Sequence, residues 1–231
     1  MIAKPEHAED QRKPKILVSD TSPLSLLGVV PGGLDWLFVP QCEVWIPDII
    51  MDEVLRDPGA EKDARIEHRA EISGWLTRNK YRIKRLETRI GNRYRAETDE
   101  YERACKLWDL AGRPADMKPT RPDWKDRGDE SVWIAVRMAN AAVTKIGSSV
   151  IALVDDGEVR DVIEAQGRRQ QAAAIDLMGT QTFIRWMAED FGIKAATNAW
   201  DIIALARQGK VPEIPAEEEA VDPVYIRVSP P

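Results

Sequence analysis

Twice in this chain a short, unbroken apolar run ends on an aspartate and passes straight into a helix start: KILVSD before TSPLSLLGVV, and SVIALVDD before GEVRDVIEAQG. Apolar runs without alternation suit strands covered on both faces, the situation of a parallel sheet between helices. Parallel neighbours cannot be joined by a tight turn and need a crossover, usually a helix. A third unit, EVWI followed by PDIIMDEVLRD, repeats the order. The chain is therefore expected to be α/β, a three-layer sandwich with a mostly parallel central sheet. Ligands of such sheets bind beyond the carboxyl ends of the strands, and Asp20, Asp155 and Asp156 stand at those ends.

The junctions carry helix signals of their own. Thr21 or Ser22 suits an N-cap with Pro23 in the first turn, and Pro47 opens a helix in which Ile49, Ile50, Glu53 and Val54 fall largely on one face. GDESVWIAVRMANAAV predicts a further helix, with Asp129 and Glu130 in its first turn. From about 60 to 125 the composition turns charged: strand-like YRIKRLET, an amphipathic run over about 94–111 and the loop GRPADMKPTRPDWKD, together read as a charged, largely helical insertion. QAAAI is expected as a strand, and GTQTFIRWMAEDFG and NAWDIIALARQGK as helices. The expected organisation is a leader over 1–14, a main domain over 15–195 with its insertion, a C-terminal helix over 196–212 and an acidic, proline-rich tail over 213–231. Trp75, Trp133 and Trp186 sit at helical apolar spacing, as core residues do.

Composition removes several chemistries. At 231 residues and 43% hydrophobic the chain can bury a core, yet no apolar run approaches the roughly 18 residues of a membrane span, and the leader lacks the apolar stretch of a signal peptide. A cytoplasmic protein with no membrane partner is the expectation. The only histidines, His7 and His68, lie in charged surroundings, which leaves histidine-based acid/base chemistry poorly supported. Cys42 and Cys105 show no CxxC spacing, so neither a disulfide framework nor a zinc knuckle is indicated. The net charge of −6 conceals an uneven distribution, with ten Lys/Arg against three Glu between Arg65 and Arg95, and five acids without a base between Glu213 and Asp222. The stretch YRIKRLETRIGNRYR, with Tyr81 and Tyr94, suits an RNA backbone. It also suits a plain solvated face.

The carboxylates are the candidate site: Asp20 after the first strand, Glu53 in the second helix, Asp129 and Glu130 opening a later helix, Asp155 and Asp156 after a later strand. Each has a plain reading, as a cap, a solvated helix acid, a partner of the helix dipole or a turn residue. Those readings do not account for the order and setting of all four places. Like charges gathered at one edge raise one another's pKa unless a cation neutralises them. Oxygen ligands without His or Cys select a hard cation, Mg²⁺ or Mn²⁺, which suits hydrolysis of a phosphodiester.

VSDTSPLSLL, IPDIIMDEVL, GDESVWIAV and IALVDDGEVRDVIEAQG resemble the successive motifs of PIN-domain proteins, over about residues 15–190 with the insertion between. GTQTFIRWMAEDFGI is similar to the segment that follows the last acidic motif in one bacterial subgroup. The resemblance implies that Asp20, Glu53, one of Asp129 or Glu130, and Asp155 bind the metal, with Asp156 beside them and Thr21 or Ser22 hydrogen-bonding around the first. It implies an Mg²⁺- or Mn²⁺-dependent endoribonuclease. Many bacterial members are VapC-type toxins, usually dimeric and held by a small antitoxin, so RNA, an antitoxin and a second copy are the partners implied. The long insertion and the adjacent acids at the third motif depart from the pattern, and spacing leaves Asp129 and Glu130 both open. Two other acid-bearing folds fit worse. A HAD-type phosphohydrolase needs an Asp where Ser22 stands, and a receiver domain wants paired acids after its first strand, where Ser19 precedes Asp20. A PIN-like RNA-binding module without activity is the non-enzymatic alternative.

Overall fold

Leu17, Val18, Val150 and Ile151 are all but inaccessible to solvent, as strands packed on both faces must be. In a computed structural model, which describes residues 14–55, 65–122, 126–144, 148–169 and 175–208, they belong to two of the three inner strands of a five-stranded sheet. The strands are β1 (Pro14–Ser19), β2 (Glu43–Pro47), β3 (Ile83–Leu86), β4 (Ser149–Leu153) and β5 (Ile175–Met178), in the order β3-β2-β1-β4-β5. Every pairing is parallel. The expected α/β class holds, and the sheet goes beyond mostly parallel.

The helices follow from that connectivity. They are α1 (Thr21–Val29), α2 (Asp48–Leu55), α3 (Arg65–Arg78), α4 (Arg89–Leu110), α5 (Arg127–Thr144), α6 (Gly157–Arg169), α7 (Thr180–Glu189), the short α8 (Lys194–Thr197) and α9 (Ala199–Arg207). The chain steps outward from β1 to β3 and then returns across β1 to β4 and β5, so right-handed crossovers put α1 and α3 on one face and α5 and α6 on the other. Accordingly α5 packs on β1, β2 and β4 and against α6, while α1 packs with α3, α7 and α9. This arrangement is consistent with a three-layer sandwich. Trp75 lies fully inside the core, and Trp133 and Trp186 pack against it half-buried. Among the described residues no helix is long and apolar enough to cross a membrane.

Local differences from the sequence reading have physical causes. Asp20, rather than Thr21 or Ser22, caps α1: its Oδ1 accepts the Thr21 N–H at 2.6 Å, while its own N–H donates to the Leu153 carbonyl at 3.1 Å and prolongs the β1–β4 ladder. The last strand is described over IDLM, and of the expected QAAAI only Ile175 lies within the described residues. The charged segment over about 60–125 supplies more than surface, because β3 within it forms an edge of the sheet. What it adds beyond the sheet and α3 is α4 and the proline-rich loop after it. The leader and the tail lie outside the described residues.

Candidate metal centre

Register decides which side chains meet. Lys84, Trp45, Val18, Ala152 and Leu177 form one row across all five strands. Two or three residues past that row come Asp48, Asp20, Asp155 and Thr180, all at the carboxyl edge of the sheet. The helices that begin there bring in the remaining acids, Glu53 from α2 and Asp129 from α5.

Asp20 is the most buried of the candidates, at 6% exposure. Its carboxyl is pushed up to about 7: burial raises it most, the Thr21 N–H pulls it down, and the charges of Asp129, Glu53 and Asp155 add to the rise. One carboxylate thus feels an acid from each of the other three places. No Lys, Arg or His among the described residues pairs with it. Asp129, half-buried, is raised as well, first by burial and then by Asp156, Asp126, Glu53 and Glu158.

Backbone and hydroxyl donors hold two of the acids. The Thr21 hydroxyl donates to Glu53 Oε2 at 2.7 Å, and Gly128 lies so close that a Cβ there would stand 2.9 Å from Glu53 Oε1. On the other side of Asp20, Thr180 grips Asp155 twice, its N–H donating to Oδ1 at 2.8 Å and its hydroxyl to Oδ2 at 2.5 Å. A Cβ on Gly179 would come within 3.0 Å of that Oδ1. Thr180 and Gly128 carry no acid/base chemistry, so a search for carboxylates passes them over. Their sequence signal was only the small residue beside an acid or at a helix start.

The remaining candidates stand apart. Glu130 is exposed and is not among the charges acting on Asp20. The buried stripe of α5 runs through Gly128, Val132, Ala135 and Ala139, and Asp129 flanks it, whereas Glu130 shares the outer face with exposed Arg137. Asp156 is exposed and caps α6, its Oδ1 accepting the N–H groups of Glu158 at 2.8 Å and Val159 at 3.1 Å. Ser22 is exposed, and of the pair only Thr21 reaches the acids.

One added element braces two of the acid-bearing helices. Arg95 of α4 lies 2.8 Å from Asp48 Oδ2 and 3.7 Å from Asp52 Oδ2 on α2, while Glu97, half a turn on, pairs with Arg127 at the start of α5. Oδ2 of Asp48 accepts no aligned hydrogen bond despite that short approach, so the contact with Arg95 is Coulombic; Oδ1 accepts from the Thr88 hydroxyl at 2.9 Å. Glu53 and Asp129 therefore sit on helices held by neighbouring turns of α4.

The donor set suits a hard divalent cation: oxygen ligands only, around a buried carboxylate whose charge no base offsets. As they stand, however, no three His, Cys, Asp or Glu side chains among the described residues are grouped to hold a metal ion. Comparison with known protein families, with curated proteins and with solved structures finds no match to this chain.

Proposed function

We propose that this protein is a PIN-like endoribonuclease that hydrolyses RNA phosphodiesters with the help of Mg²⁺ or Mn²⁺ held by Asp20, Glu53, Asp129 and Asp155. The observation that carries this reading is that acids from three other places in the chain act on one buried, unneutralised carboxylate. Capping α1 explains the place of Asp20 but not the acids around it, since three like charges around a buried acid cost stability. The site opens at the carboxyl edge of the strands, where α/β sheets bind ligands. Proximity to Asp20 favours Asp129 over Glu130 as the third acid, and Asp156 serves as a helix cap.

A cation bound there would orient and acidify a water for in-line attack and offset the charge on the departing oxygen. The chain itself holds Glu53 through the Thr21 hydroxyl and Asp155 through Thr180. The family resemblance adds a small antitoxin and a second copy of the chain as partners. The non-catalytic RNA-binding module is the second reading, and the spread of the acids favours it.

The test is cleavage of single-stranded RNA with Mn²⁺ or Mg²⁺. Cleavage should stop in EDTA, return with added cation, and fall by about a hundredfold or more in Asp20→Asn, an isosteric loss of one ligand charge. Equal cutting by variant and wild type removes Asp20 from the site. RNA binding without cleavage by either protein selects the non-catalytic module.

A further inference from the structure

In the basic run over Arg78 to Arg95, all the side chains but that of exposed Arg89 fall into two sets. Arg78 pairs with Glu71, Arg85 with Asp52, Arg93 with Glu97, and Arg95 with Asp48 and Asp52. Lys80, Arg82 and Lys84 meet no carboxylate among the described residues. Each lies instead over an aromatic ring: Lys80 Nζ is 4.8 Å from the centre of Tyr81, the Arg82 guanidinium 3.8 Å from Phe38, and Lys84 Nζ 3.7 Å from Trp45. A ring quadrupole holds a cation in place without cancelling its charge. All three bases are exposed, in a chain whose net charge is −6.

Their place in the fold ties them to the acids. Lys84 lies on edge strand β3, in the row that crosses Trp45 to Val18, and Asp20 is two residues past Val18. Two strand spacings, about 10 Å, separate Lys84 from Val18. Tyr81, between Lys80 and Arg82, is 91% exposed, so its ring stays open to solvent although Lys80 lies beside it. Phosphates answer unpaired cations, and unpaired bases answer an open ring. A duplex keeps its bases stacked inside, so the open ring favours a single strand.

We infer that Lys80, Arg82 and Lys84, with Tyr81, form the surface that binds single-stranded RNA and leads it along the edge of the sheet to the carboxylates. The inference rests on the nuclease reading for its choice of polymer. Charged side chains on an edge strand also guard against edge-to-edge pairing, and the test separates the two roles.

The experiment measures binding of a labelled single-stranded RNA to the full chain without divalent cation, so that cleavage plays no part, across a range of salt concentrations. Replacing the three bases together (Lys80→Gln, Arg82→Gln, Lys84→Gln) should weaken binding by about tenfold or more and reduce the salt slope by about 2, at roughly 0.7 per lost phosphate contact. Lys80→Arg with Lys84→Arg, which keeps the charge, should bind like wild type, and Tyr81→Ala should weaken binding with little change of slope. Unchanged affinity and slope in the triple variant overturn the surface, as does self-association of that variant with RNA binding intact, which marks an edge guard. Equal binding of duplex RNA overturns the single-strand assignment. Wild type that binds in this manner yet never cleaves with Mn²⁺ removes the nuclease reading and leaves the surface standing.

Discussion

Asp20 does two jobs with conflicting electrostatic demands. As the cap of α1 it accepts a backbone N–H, which favours the ionised form, while its burial among other acids favours the neutral one. The second influence wins, and the folded-state value of about 7 lies above the ordinary 3.8. The folded chain therefore holds this proton more tightly than the unfolded chain does. Its contribution to stability is fully present below about pH 4, declines as pH rises, and is gone above about pH 7. A tenfold tighter hold on one proton is worth about 1.4 kcal/mol, so up to about 4 kcal/mol is at stake. Asp20→Asn, which is always neutral, should unfold at higher urea than wild type at pH 8 and at nearly the same urea at pH 4; a variant no more stable at pH 8 would show that Asp20 is not strained. Thr180 offers a second test at this scale. Thr180→Val removes the hydroxyl bond to Asp155 and should lower cleavage and weaken Mn²⁺ binding about tenfold, whereas Thr180→Ser should restore both, a rescue that simple loss of packing would not show.

At the scale of elements, α4 is a surface helix that depends on one buried contact. Asp48 is wholly buried beneath it, between Thr88, Arg95 and Gly91. A Cβ on Gly91 would overlap Asp48 Oδ2, part of a carboxylate held from both sides. Gly91→Ala should therefore destabilise the protein by about 1–3 kcal/mol, the usual cost of overpacking, despite the better helix propensity of alanine. It should also loosen the brace on α2 and α5, so cleavage should fall further than the fraction unfolded explains. Urea titration and initial rates on one preparation check both. A stable, fully active Gly91→Ala would leave α4 without a part in the site. Helix α5 shows how one turn sorts adjacent acids: with Gly128 and Val132 inside, Asp129 flanks the buried stripe and Glu130 faces outward.

For the whole molecule, the carboxyl edge stores repulsion that a cation would relieve, so cation and fold should be linked. Mn²⁺ at about a hundred times its dissociation constant should add about 2.7 kcal/mol to stability. That gain should appear as a raised melting temperature above pH 7, shrink toward pH 5 as protons compete for Asp20, and be largely lost in Asp20→Asn. A melting temperature indifferent to Mn²⁺ at pH 8 would remove the metal site. The α/β class was legible in the chain because KILVSD and SVIALVDD are apolar without alternation, and only burial on both faces rewards that pattern. Asp20, Glu53 and Asp155 were legible as candidates for the related reason that each adjoins a strand end or an apolar helix face. Local sequence could not rank Asp129 against Glu130, assign the α1 cap to Asp20, or find Thr180, because each depends on which groups other strands and helices bring alongside. The same holds for the basic run, whose residues read alike until contacts with Asp48, Asp52, Glu71 and Glu97 engage Arg78, Arg85, Arg93 and Arg95 and leave Lys80, Arg82 and Lys84 over aromatic rings. Periodicity and residue type are properties of neighbours along the chain and determine its elements; burial and charge at a point are sums over neighbours in space, and those only the tertiary structure decided.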